Sequence, residues 1–134
     1  MKILESTASI VIVHPNGIIE TKVKPDWDQP DTPETAIDHS LTLKKGVGNN
    51  ICGILTFLPN LYMKKEVIEA FATVEIGHIA EAFLVNSVGS RILATLALKL
   101  DKSSIPRKVF TKKEQAEKWL LDNISRAKQN QQNT

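Results

Sequence analysis

Few residues in this chain have the type and spacing that chemistry requires. The best candidate is the run Asn86-Ser87-Val88-Gly89-Ser90-Arg91. It follows an apolar stretch read as a strand and opens a stretch read as a helix. In that order backbone amides and the helix dipole can be aimed at an anion, and Arg91 adds a cation. Asn86, Ser87, Ser90 and Arg91 are therefore a candidate anion or partner site, with an ordinary Ser or Asn helix cap as the alternative. The run GVGNN at 46–50 lies the wrong way round, after a helix and before a strand, and is not expected to cradle phosphate. His14, His39 and His78 each stand without a His or Cys at ligand spacing, so no metal site is indicated. Asp38 and His39 are adjacent, but neighbours on a helix diverge by about 100° and do not ligate together readily. No Gly-x-Ser-x-Gly elbow occurs. Because no base, nucleophile and orienting group line up, no catalytic residue and no cofactor is assigned, and the chain is expected not to be an enzyme.

Two apolar features point to binding instead. Trp27 lies in a Pro- and Asp-rich loop, where it either covers an edge of the core or lines a pocket; with Phe57 and Tyr62 it marks a candidate pocket for a small molecule or lipid. The segment SVGSRILATLALKL places Ile92, Leu93, Leu96 and Leu100 on one helical face, with Ala94 and Leu98 elsewhere on the wheel. Its apolar surface is broader than a single core stripe needs. Ala94 and Leu98 are therefore candidate interface residues of a homodimer or of a complex with a protein partner.

The elements that must position these residues follow from periodicity. Ser6 to Val13 and Ile18 to Val23 alternate about His14-Pro15-Asn16-Gly17, and Asn-Gly is a strong hairpin signal. Thr32-Pro33-Glu34 opens a helix with an N-cap, a first-turn Pro and an acid; Ile37, Leu41 and Lys44 share a side, and Lys44-Lys45-Gly46 reads as its end. Ile51 to Leu58 is a buried strand, and Lys64 to about Val74 a helix with Val67, Ile68 and Phe71 inward. Ile79 to Val85 is another buried strand, in which Glu81 is the odd member, and Ser87 to Leu100 is a further helix. The order β-β-α-β-α-β-α-β-α predicts an α/β fold: a mixed, mostly parallel sheet of about five strands, opened by an N-terminal hairpin and covered by helices.

The closing unit, IPRKVFTKKEQAEKWLL over 105–121, is a short strand with basic Arg107 and Lys108 on a wet side, near a sheet edge, followed by a helix. Thr111 and Glu114 have capping-box spacing, and Ala116, Trp119, Leu120 and Ile124 form one apolar face. The ending VFTKKEQAEKWL resembles the last strand and helix of small bacterial STAS-like proteins, the group similar to anti-sigma-factor antagonists and described as STAS/SEC14-like. The order of elements over roughly residues 5 to 124 fits as well. The resemblance implies a non-enzymatic regulatory or protein-interaction module. It does not carry over the phosphorylated Ser of the antagonists: the matching stretch, Pro59-Asn60-Leu61-Tyr62-Met63-Lys64, has no Ser or Thr.

With 134 residues the chain suits one domain, over residues 1–124, with 125–134 a polar tail expected to fray or to be disordered. The net charge of +2 is too small to suggest nucleic acid, although residues 1–50 sum to −2 and residues 101–134 to +4. Cys52, the one cysteine, lies in an apolar run and fits a reducing compartment. No leader pattern and no apolar run near the roughly 20 residues of a membrane span are present, so a cytoplasmic protein without an integral membrane segment is expected.

Overall fold

The computed structural model describes residues 1–59, 63–100 and 104–132. Among these, six strands form one sheet in the order β1-β2-β3-β4-β5-β6. The strands are β1 Lys2–Glu5, β2 Ser9–Val13, β3 Ile18–Val23, β4 Gly53–Phe57, β5 Ala80–Leu84 and β6 Arg107–Phe110. Pairing is antiparallel from β1 to β3 and parallel from β3 to β6. The fold is thus the expected α/β arrangement with one more strand. Lys2–Glu5 pairs with β2, Ile3 against Ile12 and Leu4 against Val11. Ser6 to Ala8, read from the sequence as part of the first strand, is the turn between them: the Ser6 hydroxyl accepts the Ser9 N–H at 3.0 Å.

Four helices cover the sheet: α1 Pro33–Val47, α2 Lys65–Phe71, α3 Val88–Leu100 and α4 Lys113–Gln132. The parallel strands step one place in one direction through right-handed crossovers, which puts α1, α2 and α3 on the same face. α4 follows the last strand and covers the other face, packing on β3, β4, β5 and β6. Pleating divides neighbouring residues between the two cores. Ile19 and Ile54 join Val11, Leu43, Val47 and Cys52 beneath α1. Ile18 and Leu55 join Phe110, Ala116, Leu120 and Ile124 beneath α4. Gly53 permits the close approach of α4: a Cβ there would lie 2.9 Å from Leu120 Cδ2.

Several boundaries differ from the sequence reading. Thr32 caps α1 as expected, in a reciprocal capping box with Thr35. The helix passes through Gly46 and stops at Gly48, whose φ of 55° is the left-handed conformation that a glycine tolerates. Gly46 instead lets α1 approach the sheet, where a Cβ would meet Val13 Cγ2 at 3.2 Å. Ile37 and Leu41 face outward; α1 buries Ala36, Ser40, Leu43 and Val47. α4 begins at Lys113, with the Ala116 N–H bonded to the Lys112 carbonyl, so Lys112 rather than Thr111 holds the N-cap position. At its other end α4 continues to Gln132 through the stretch read as a frayed tail. Ala, Arg, Lys and Gln there are good helix formers, and they propagate a helix already nucleated by packing.

Candidate functional site

The sheet face beneath α1–α3 carries an unusual polar strip. Ile19, Ile54, Glu81 and Arg107 are register partners in succession, as are Thr21 and Thr56. The pleat therefore places Thr21, Thr56, Glu81 and Arg107 on one face, one from each of four neighbouring strands. Thr56 Oγ1 donates to Glu81 Oε2 at 3.0 Å. Arg107 Nε donates to Glu81 Oε1 at 3.2 Å. His78, just before β5, has Nε2 3.7 Å from the same oxygen, beyond hydrogen-bond reach but within electrostatic range. Burial pushes the Glu81 carboxyl up, yet His78, Arg107 and the Thr56 hydroxyl outweigh it and hold the group below the ordinary carboxylate value. Glu81 is therefore a buried carboxylate.

α1 contributes a second polar pair. His39 Nδ1 lies 2.6 Å from Ser9 Oγ, which is also hydrogen-bonded to the Ser6 hydroxyl. Its ring stands edge-on to Phe71 of α2. Burial drives the His39 imidazole below its ordinary pKa, against the upward pull of Glu81, Asp31 and Asp38. Asp38 points elsewhere and accepts the Thr7 N–H at 2.7 Å. As the sequence implied, Asp38 and His39 do not act together; each pins α1 to the β1–β2 turn.

Between these groups lies a cavity of about 650 Å³. α2 forms its roof with Ile68 and Phe71, α1 and α3 its walls with Leu43, Leu93 and Ala97, and Thr21, Thr56, Glu81 and Phe83 its floor. α2 is shorter than the strand it faces. Its seven residues span about 10 Å, whereas the five of β4 extend about 16 Å. α2 packs on α1 and α3 and stands off the sheet.

The cavity contains polar atoms that lack partners. Among the described residues, the buried side-chain atoms without a hydrogen bond are Thr21 Oγ1, both ring nitrogens of His78, and Trp27 Nε1. Thr21 and His78 line the cavity; Trp27 does not. Buried polar groups are nearly always paired with protein or with ordered water, so these two residues are positioned to bond with whatever occupies the cavity.

The sequence-derived candidates fare unevenly. Phe57 lines the cavity, Trp27 sits half-buried outside it, and Tyr62 lies outside the described residues. The Asn86–Arg91 turn is closed on itself. Ser90 is buried, and its Oγ accepts the N–H groups of Asn86 and Ser87, each at 3.1 Å, while the Ser90 N–H donates to Ser87 Oγ. The amides of Asn86, Ser87 and Ser90 are engaged in this cap, and Arg91 is exposed beside it. Ala94 is not at a surface: it is fully buried against Phe83 and Val85. Leu98 is exposed, as are Val88 at 75% and Ile92 at 57%. Arg107 leaves the wet side predicted for it and turns inward, because neighbours in a strand face opposite ways; Lys108 keeps the outer position. The signal for the site was Glu81 within an apolar strand. His39, His78, Thr21 and Thr56 gave no signal of their own, since nothing in the chain order announces that they converge.

No helix among the described residues is long and apolar enough to cross a membrane. Among the same residues no group of three or more His, Cys, Asp and Glu side chains could hold a metal ion. Residues 13–123 match the family model described as a domain of unknown function, DUF7793. No curated protein and no solved structure matches the chain.

Proposed function

We propose that this chain, which belongs to the DUF7793 family, is a binding domain that takes a small molecule into the cavity beneath α2. One observation carries the reading: Thr21 Oγ1 and the two nitrogens of His78 are buried without a hydrogen bond on the surface of a 650 Å³ space that also has apolar walls. That volume lies within the range of ligand pockets, which combine apolar walls with a few convergent polar groups. The reading is one of binding without turnover. Glu81 is held by Thr56 and Arg107 and His39 by Ser9, so these groups serve to fix a surface. Native mass spectrometry of gently purified protein tests it. A retained mass of a few hundred daltons that leaves on denaturation, and that is missing from an Ala97→Phe variant with the cavity filled, supports the reading. A bare chain mass that persists after incubation with amphiphiles refutes it.

A second reading, a homodimeric or partner-binding module of STAS-like type, is favoured by α3, which exposes Val88, Ile92 and Leu98. Sedimentation velocity tests it: an Ile92→Asp, Leu98→Asp pair should lower the mass of an oligomer while leaving circular dichroism unchanged. A wild-type protein that sediments as a monomer removes the homodimer.

A further inference from the structure

The floor of the cavity restricts what its ligand can be, an inference that rests on the binding reading above. Glu81 and Arg107 are opposite charges already committed to each other at 3.2 Å. Glu81 Oε2 is further occupied by the Thr56 hydroxyl. A ligand carboxylate reaching this floor would have to displace Glu81 from Arg107, and a ligand ammonium would have to displace Arg107 from Glu81. Either exchange leaves one buried charge without its partner, which is among the costliest changes a protein interior can undergo.

Several other polar lining groups have partners of their own. His39 Nδ1 is bonded to Ser9, and the Ser40 hydroxyl donates to the Phe71 carbonyl at 3.1 Å. Asp31 accepts the Thr35 hydroxyl at 3.0 Å. Lys22 and Glu75 line the cavity as well but are exposed to solvent, so they set no condition on the buried end. Among the described residues that line the cavity, the fully buried side-chain atoms still without a hydrogen bond are the Thr21 hydroxyl, which can donate or accept, and the His78 ring nitrogens, which in the neutral form offer one donor and one acceptor.

We propose that the cavity takes an uncharged amphiphile, with an apolar body between Ile68, Phe71, Phe83 and Leu93 and a hydroxyl or carboxamide head that pairs with Thr21 and His78. A hydroxyl and a carboxamide each supply the donor and acceptor that these residues lack, and neither brings a charge to an already neutralised floor. Alcohols and amides share this chemistry; carboxylates, ammonium compounds and phosphates do not.

Isothermal titration of the full chain at about pH 8 with decanol, decanamide, decanoate and decylammonium separates these classes, because at that pH the last two carry opposite charges. The proposal expects decanol or decanamide to bind at least about tenfold more tightly than either ion. It also expects His78→Leu to weaken the neutral ligand by about three- to tenfold while barely changing decanoate, as the loss of one net hydrogen bond implies. If decanoate or decylammonium binds as well as decanol, the neutral-head inference is overturned and the binding reading stands. If His78→Leu leaves decanol affinity unchanged, the head does not reach His78 and the inference is again overturned. If none of the ligands binds, the binding reading itself fails.

Discussion

Glu81 and Arg107 face each other across β5 and β6 as register partners, and Arg107 Nε donates to Glu81 Oε1 at 3.2 Å. Both side chains are largely buried, at 15% and 8% exposure, on the face that also carries the α1–α3 core. The pair explains how a carboxylate can sit in an apolar strand, and it sets the charge of the cavity floor.

Breaking the pair from one side should be costly. Arg107→Met leaves Glu81 buried with Thr56 and His78 alone, and is expected to lower stability by about 3 kcal/mol in urea unfolding. Replacing both, as Glu81→Leu with Arg107→Met, should cost clearly less than the single change, because no charge is then stranded. A single variant as stable as wild type would mean that the pair does not anchor β6.

Thr21→Val should act in the opposite direction. Thr21 is 1% exposed and its hydroxyl has no partner, so the isosteric replacement removes an unsatisfied polar group. The ligand-free protein is expected to gain about 1 kcal/mol in chemical denaturation while affinity for a neutral amphiphile falls. Loss of stability would show that the hydroxyl is satisfied in a way that the ligand-free structure lacks.

Stability should decline in acid in two stages. The folded pKa of His39 lies below its ordinary 6.5, and that of Glu81 below its ordinary 4.5. For each group the unfolded chain binds the proton first as pH falls, so the contribution is complete above the unfolded value and is lost on the way down through the folded one. Denaturant midpoints should therefore begin to drop just below pH 6.5 and drop further below pH 4.5. His39→Gln should abolish the first stage and keep the second. A midpoint that holds steady from neutrality to about pH 5 would show that His39 does not bury as a neutral ring.

Gly53 is expected to tolerate a branched side chain poorly, because the Leu120 that faces it is fully buried. A Cβ would meet Leu120 Cδ2 at 2.9 Å where α4 crosses β4, so Gly53→Val should cost about 2 kcal/mol or more, read as a lowered melting temperature. Gly46→Ala adds one methyl at a longer contact, 3.2 Å from Val13 Cγ2, and should cost less.

Much of the fold was legible because it is written locally. The Asn16-Gly17 turn, the Thr32-Pro33 helix start and the Ala116-Leu120-Ile124 stripe each specify an element within a few residues. β1 was not legible: Lys2–Glu5 is short, buries chiefly Leu4, and becomes a strand only by pairing with β2. The start of α4 was misplaced because Thr111 and Glu114 have the spacing of a capping box, while the chain enters the helix one residue later, with Lys112 at the N-cap. The site was hardest to read. Glu81 stood out within its strand, but Thr21, His39 and Arg107 come from distant segments: sheet register sets Thr21 and Arg107 on its face, and α1 carries His39 over that face. The Ser87–Ser90 turn was ambiguous because a self-capped helix start and an open anion site have the same sequence, and the structure shows the cap.

The most direct test is methyl NMR of the full chain titrated with decanol. Occupation of the cavity predicts saturable shifts of the Ile68, Leu43 and Leu93 methyls, which line it, with Leu55, Leu120 and Ile124 in the core between α4 and the sheet unmoved. Shifts confined to Val88, Ile92 and Leu98 on the outside of α3, or no saturable shifts at all, would contradict a ligand site beneath α2.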